Sequence, residues 1–387
     1  MSQNVAQLKD VGVTVRGEAA PATATVEPAE DGPARRRASL WARWPDWAAP
    51  LAAAWSLVYG ALGLYWALGG PGFPFGAGHD PGSELSVLGG LRAETGAPAI
   101  AVLGLALGML AALLTRAWGR GLVRGALLGI AWVACVVLLL VVPDYRVLVA
   151  VAYAPLFLVG APFGWPPVPF LRAVPWPVVN QVICVAGGVL WGAAALAYQR
   201  RTRGACAYCG RTTPPGAAAW TTPAAAARWG RWAVAVAVVV PVLYAITRYA
   251  WALGIPLGIT EEFLRQGQAE GIWVAGAGLS TVAIAGSLLT LGLVQRWGEI
   301  FPRWMPLLGG KSVPPALAIV PATLIAAIVT SAGLMYLRLF LRIGIPAEGW
   351  ATIGPELLWP IWGAALAAAA LAYGYRRRGR CPRCGRL

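Results

Sequence analysis

Eight apolar runs leave this chain few ways to fold. They lie at roughly 48–69, 97–117, 121–142, 176–198, 232–254, 272–295, 314–337 and 355–375. Each is close to the roughly 20 residues a helix needs to cross a bilayer. Bilayer hydrocarbon offers no partner for a backbone N–H or C=O, so a spanning segment must satisfy its own hydrogen bonds as a helix. Apolar residues make up 58% of the sequence and charged residues only 12%, with a mean hydropathy of +0.63. That is too little charged surface for a soluble domain of this size. The expectation is an all-α integral membrane protein of eight transmembrane helices, with the lipid bilayer as its first partner.

The net charge of +15 invites a nucleic-acid reading, but the arginines cluster at the ends of the apolar runs, where membrane topology signals sit. A ninth apolar stretch, 147–162, is short and contains Pro155. Charge counting decides its status. If it does not cross, one side holds 24 of the 31 basic residues: those before the first span, at 116–124, 200–231 and 296–311, and from 376 onward. The other side holds Arg92, Arg146, Arg172, Arg248, Arg265, Arg338 and Arg342. Basic residues collect on the cytoplasmic side, so 147–162 reads as re-entrant or surface-lying. Both termini then lie in the cytoplasm, with the protein in the cell membrane.

A stretch near the middle of the chain recurs at its end. Leu196-Ala197-Tyr198, an arginine cluster and Cys206-Ala-Tyr-Cys209-Gly210-Arg211 correspond to Leu371-Ala372-Tyr373, a second arginine cluster and Cys381-Pro-Arg-Cys384-Gly385-Arg386. Tyr59 and Trp66-Ala67-Leu68-Gly69 in the first span correspond to Tyr244 and Trp251-Ala252-Leu253-Gly254 in the fifth. Arg116 and Trp118-Gly119 after the second span correspond to Arg296-Trp297-Gly298 after the sixth. These landmarks point to two tandem four-helix repeats. Four is even, so the repeats share one orientation, related by an axis along the membrane normal. The expected organisation is a disordered tail over 1–46, repeats over 47–200 and 231–375, a knuckle-bearing linker over 201–230 and a C-terminal knuckle over 376–387. Arg35, Arg36, Arg37 and Arg43, with Trp41, Trp44 and Trp47, would form an interfacial collar.

Each knuckle has the form Cys-x-x-Cys-Gly-Arg. Two thiolates at this spacing cover one side of a tetrahedral zinc ion, and a structural site needs four ligands. The duplication supplies the missing pair, so Cys206, Cys209, Cys381 and Cys384 form a candidate structural zinc clasp between the halves. A dithiol redox pair and unliganded thiols are the alternatives; retention of Gly-Arg in both copies favours the metal.

Other residues are weaker candidates. Cys135 and Cys184 lie within spans and read as packing residues. Arg248 sits about 9 Å below the end of its span. The expectation there is snorkelling to the outer interface; buried, it would pair with Glu261, Glu262 or Asp144. His79 beside Asp80 could bind a metal or relay a proton, but a lone histidine fits an ordinary solvated loop better. Trp47, Trp66, Trp118, Trp232, Trp251, Trp297 and Trp359 read as an interfacial belt, and Gly104 with Gly108 as a close helix contact.

At Pro143-Asp144-Tyr145-Arg146, Gly160-Ala-Pro-Phe-Gly-Trp165-Pro-Pro and CAYCGR, the chain resembles uncharacterised polytopic membrane proteins of high-GC Gram-positive bacteria. That resemblance implies a membrane class and compartment and brings no activity. The sequence has no Gly-rich nucleotide loop, no Ser/His/Asp set and no paired intramembrane carboxylates. A non-enzymatic scaffold or signalling protein is therefore expected, docking an acidic cytoplasmic protein or anionic lipid. A small-solute transporter with its path between the repeats is the alternative.

Overall fold

In a computed structural model, the described residues are 43–116, 118–164, 174–212, 219–345, 347–381 and 383–386. The tail, Arg35 to Arg37, Trp41, Trp165 and Arg172 lie outside them. Among the described residues there are ten α-helices: α1 (Trp44–Ala67), α2 (Ala93–Leu114), α3 (Gly121–Val136), α4 (Tyr145–Gly160), α5 (Trp176–Arg201), α6 (Pro223–Ala252), α7 (Glu261–Ala269), α8 (Ile272–Leu291), α9 (Pro315–Ile343) and α10 (Trp359–Arg376). A π-helical turn extends α3 to Val141, and a 3₁₀ turn from Pro355 leads into α10. Eight of these segments are long and apolar enough to cross a membrane, matching the eight apolar runs. The chain is a multi-pass helical protein.

Boundaries differ from the hydropathy limits where local chemistry carries a helix onward. α6 begins at Pro223, with Thr222 accepting from the Ala225 amide as its N-cap. Pro at the first helical position costs nothing, because its missing N–H would be unpaired there anyway. α4, at 16 residues, is about 24 Å long, short of the roughly 30 Å hydrocarbon core.

Within the first half, α1 packs along α2 and α5, and α3 along α5; within the second, α6 packs along α8 and α10, and α9 along α10. Small residues bring the backbones together. A Cβ on Gly60 would sit 2.8 Å from the Leu105 nitrogen, and one on Gly104 3.0 Å from the Ser56 oxygen. Gly108 lies against Leu57. Gly104 and Gly108 are thus the close contact that their spacing implies. Gly333 and Gly363 do the same between α9 and α10.

The halves meet through α4, which packs on α8 and α9. Tyr153 donates to the Ala275 carbonyl at 2.8 Å, Ser331 to the Pro143 carbonyl at 2.7 Å, and Arg338 to the Leu85 carbonyl at 3.0 Å. Tyr145 and Leu148 join the second half's core of Tyr244, Val329, Trp359 and Tyr373.

The tryptophan belt is only partly found. Trp118 and Trp232 are exposed, but Trp66, Trp251 and Trp359 are buried. Their rings have aromatic neighbours inside the bundle: Trp66 packs edge-on against Tyr59, Trp251 against Trp273, and Trp359 against Tyr244 and Tyr336. An apolar indole near a span end gains as much from such a core as from the interface.

Candidate metal centre and buried ion pairs

The helices bring the two knuckles together at one end of the bundle. α5 and α10 both finish there, and each holds its neighbours the same way. Tyr198 donates to the Trp118 carbonyl at 2.5 Å and Tyr373 to the Gly298 carbonyl at 2.6 Å. Arg201 reaches the Leu114 carbonyl at 3.0 Å and Arg376 the Leu293 carbonyl at 2.8 Å. These carbonyls end α2 or follow α8, where helical partners have run out and a cation offsets the negative end of the helix dipole.

Each knuckle is a tight backbone loop. The Cys206 amide donates to Arg211 at 2.9 Å and the Gly210 amide to Cys206 at 2.7 Å. The second copy repeats this, with Cys381 to Arg386 at 2.9 Å and Gly385 to Cys381 at 2.9 Å. Gly210 and Gly385 have φ of +76° and +67°, the left-handed region that a side chain disfavours. The two loops then exchange contacts: Arg211 donates to the Arg386 carbonyl at 2.7 Å, and Arg386 to the Arg211 carbonyl at 3.2 Å.

All four sulfurs lie within 4.8 Å of one another. Cys206 Sγ is 4.0 Å from Cys381 Sγ, and Cys209 Sγ is 3.7 Å from Cys384 Sγ. Four ligands about 2.3 Å from one tetrahedral ion require separations of this order. Cys206, Cys209, Cys381 and Cys384 are close enough to hold a metal ion. The Arg383 amide also donates to Cys381 Sγ at 3.4 Å, the kind of outer contact that orients a ligand. Burial pushes the Cys209 thiol up to about 12; the Arg211 amide opposes this and the other three thiols reinforce it. A divalent ion would displace the proton that the Cys209 thiol holds.

Arginines surround the cluster. Arg200 donates to the Tyr208 carbonyl at 2.5 Å and lies over the Trp44 ring. Arg383 pairs with Asp46 at the start of α1. A divalent ion on four thiolates leaves two net negative charges, which such a shell offsets.

The opposite end of the bundle holds charge that the sequence did not reveal. Arg146 takes Asp80 bidentately, Nη1 and Nη2 each at 2.7 Å from a carboxylate oxygen. Its Nε and Nη2 also reach Asp144 at 3.0 Å and 2.6 Å. Gln181 closes the set, donating to Asp144 at 2.8 Å and accepting from the Asp144 amide at 3.0 Å. Asp80 and Asp144 are buried and held by Arg146, and the His79 ring packs edge-on against Phe73.

Arg248 does not snorkel. It is buried, pairs with Glu356 and lies over the rings of Tyr244 and Trp251 at 4.6 Å and 4.2 Å. Glu261, Glu262 and Asp144 are not its partners. Glu356 opens the last span, and a single carboxylate at a hydropathy boundary looks solvated in sequence; α6 and α10 carry it inside. Cys135 and Cys184 are buried packing residues, the latter with its thiol 3.4 Å from the Tyr59 hydroxyl.

No protein-family model matches the chain, and neither the curated proteins nor the solved structures include a significant match to it. What the molecule shows of its function is therefore its own geometry: a four-cysteine cluster where two recurring knuckles meet, at the end of a multi-pass helical bundle.

Proposed function

We propose that the protein is a non-enzymatic membrane scaffold or signalling component whose two four-helix repeats are locked by a structural zinc ion at the cytoplasmic face. The observation that carries this reading is the meeting of Cys206 and Cys209 with Cys381 and Cys384 across some 170 residues and four spans. Zinc fits because the donors are four sulfurs in a tight, glycine-turned pair of loops, the set that structural zinc takes. A redox dithiol would instead want a depressed, accessible thiol.

The repeat reading draws support from matched contacts at fixed offsets, 175 residues between the knuckles and 185 between the capped helix ends of α1 and α6. A rotation along the membrane normal accounts for loops that exchange equivalent bonds. The cytoplasmic placement rests on charge: exposed Arg116, Arg120, Arg203, Arg228, Arg231 and Lys311 share the knuckle end, and positive residues stay inside. That basic face suits an acidic protein or anionic lipid as partner.

Metal analysis of the purified full-length chain tests the reading. About one zinc per chain is expected, lost equally in Cys206→Ser and Cys381→Ser. A metal-free protein, or one in which a single knuckle keeps its full metal, would overturn the clasp. Reporter fusions after Arg211 and at the C-terminus should both report cytoplasm.

A further inference from the structure

Between α4, the loop after Phe75 and the start of α5 lies a cavity of about 760 Å³, in the range of small-molecule sites. It is remote from the cysteine cluster. One face of α4 forms a wall: Tyr145, Val149, Tyr153 and Phe157, four residues apart, with Ala150 beside them. Pro175, Pro177 and Val178 of α5 face them across the space, and His79, Asp80 and Arg146 form the polar end.

We infer that this cavity binds a neutral amphiphile from the membrane, an apolar chain or ring system ending in a hydroxyl, ester or carbonyl group. The charges at its polar end are already spent. Arg146 is committed to Asp80 and Asp144, and those carboxylates also accept from Gly82, Gln181 and the Arg146 amide. Arg338, the further cation that interacts with Asp144, is tied to Leu85 and does not line the space. A charged head would have to lose its water here without gaining a free counter-ion, which is costly. Two polar side chains remain. The Tyr145 hydroxyl and the His79 imidazole make no side-chain hydrogen bond among the described residues, and either can donate to or accept from a ligand oxygen. The remaining wall is aromatic, proline and aliphatic, suited to an apolar body. Beyond Phe157, Leu158 and Val159 of α4 and Phe163 of the 3₁₀ turn that follows are exposed, an apolar surface by which a membrane-borne molecule can enter. Among the described residues, α4 has no counterpart between α9 and α10.

The test uses metal-loaded, full-length protein in phosphatidylcholine nanodiscs and three probes with one alkyl chain carrying a diazirine and an alkyne. The probes are a monoacylglycerol, the matching fatty acid as its anion, and the matching alkyltrimethylammonium. The monoacylglycerol should label residues 145–157 or 174–178 saturably, at least tenfold above either charged probe. Ala150→Trp, which fills the cavity, should reduce that labelling at least tenfold with metal content unchanged. Should Ala150→Trp lose the metal, Val178→Phe on the opposite wall takes its place. Tyr145→Phe should weaken labelling severalfold. A charged probe labelling as strongly overturns the inference. So does monoacylglycerol labelling spread evenly over the outer faces of α2 and α3 and indifferent to filling, or an experimental map with residues 165–173 inside the cavity.

Discussion

The two halves of the chain resemble each other most at their helix ends and least in the charge they bury. Both α1 and α6 stop at Trp-Ala-Leu-Gly. In the first, Leu68, Gly69 and Gly70 donate to Leu64, Trp66 and Tyr65; in the second, Leu253, Gly254 and Ile255 donate to Tyr249, Trp251 and Ala250. Gly69 and Gly254 take φ of +90° and +83°, so the same left-handed cap closes both helices. Seven residues nearer the knuckle end than Trp66 and Trp251, Tyr59 and Tyr244 are both buried. Opposite them the halves part. Tyr59 donates to Asn180 at 2.9 Å, and the next residue, Gln181, holds Asp144. At the offset that relates the knuckles, Gln181 corresponds to Glu356, which holds Arg248. At that offset a neutral amide on α5 stands opposite a buried carboxylate in the 3₁₀ turn before α10. The ends share their geometry because backbone groups there must be satisfied. The interiors differ in polarity, and in each the buried charge keeps a partner.

Four experiments probe the likeness of the two halves. The largest effect is expected where the halves meet. Substituting any one of the four clustered cysteines by serine should take metal from about one per chain to near none, whichever half is changed, as metal analysis will show. Unequal losses would mean that the knuckles are independent.

Next come the unlike interior sites. Glu356→Gln strands the Arg248 charge and should cost about 3–5 kcal/mol of stability. Gln181→Leu removes one neutral partner and should cost about 1–3 kcal/mol. Unfolding of the detergent-solubilised variants gives both values, and equal losses would deny that the sites differ in kind. Replacing Arg248 and Glu356 together by Met and Leu should recover most of the first loss.

The third is a pH effect at the clasp. In metal-free protein the Cys209 thiol is raised from 9.0 to about 12, so the folded state holds that proton more tightly than the unfolded one. Its contribution is fully present below pH 9.0 and is lost as pH rises toward about 12. Metal-loaded protein should instead lose its ion as pH falls, because protons compete for the thiolates. Melting temperature against pH, with and without a chelator, should show opposite slopes.

The smallest effect tests likeness itself. Gly69→Ala and Gly254→Ala each force a side chain into a left-handed cap and should each cost about 1–2 kcal/mol. Thermal melts should place the two within error of each other; a large gap would mean that the caps only look alike.

Much of this was legible because it depends on local composition. The eight spans needed only apolar runs of the right length, and Gly104 with Gly108 announced a close contact by spacing alone. The cysteine cluster was legible because one knuckle is chemically incomplete and its copy offers what is missing. The buried charge was not legible. Asp80, Asp144 and Arg146 come from a loop and a helix start, and Glu356 from the edge of a span, positions where solvation is the ordinary outcome. Trp66, Trp251 and Trp359 misled for the same reason: nearness to a span end does not say which way a ring points.

By itself, then, the amino-acid order determined that the chain is a bundle of eight apolar helices carrying two matching cysteine knuckles, because hydropathy and ligand spacing act within one segment. Tertiary structure alone decided that the four sulfurs come within 4.8 Å, that Arg248 finds Glu356, and that α4 roofs a cavity beside Arg146. Those outcomes depend on how α4, α6 and α10 pack against their neighbours, and packing sums many weak contacts among residues far apart in the chain.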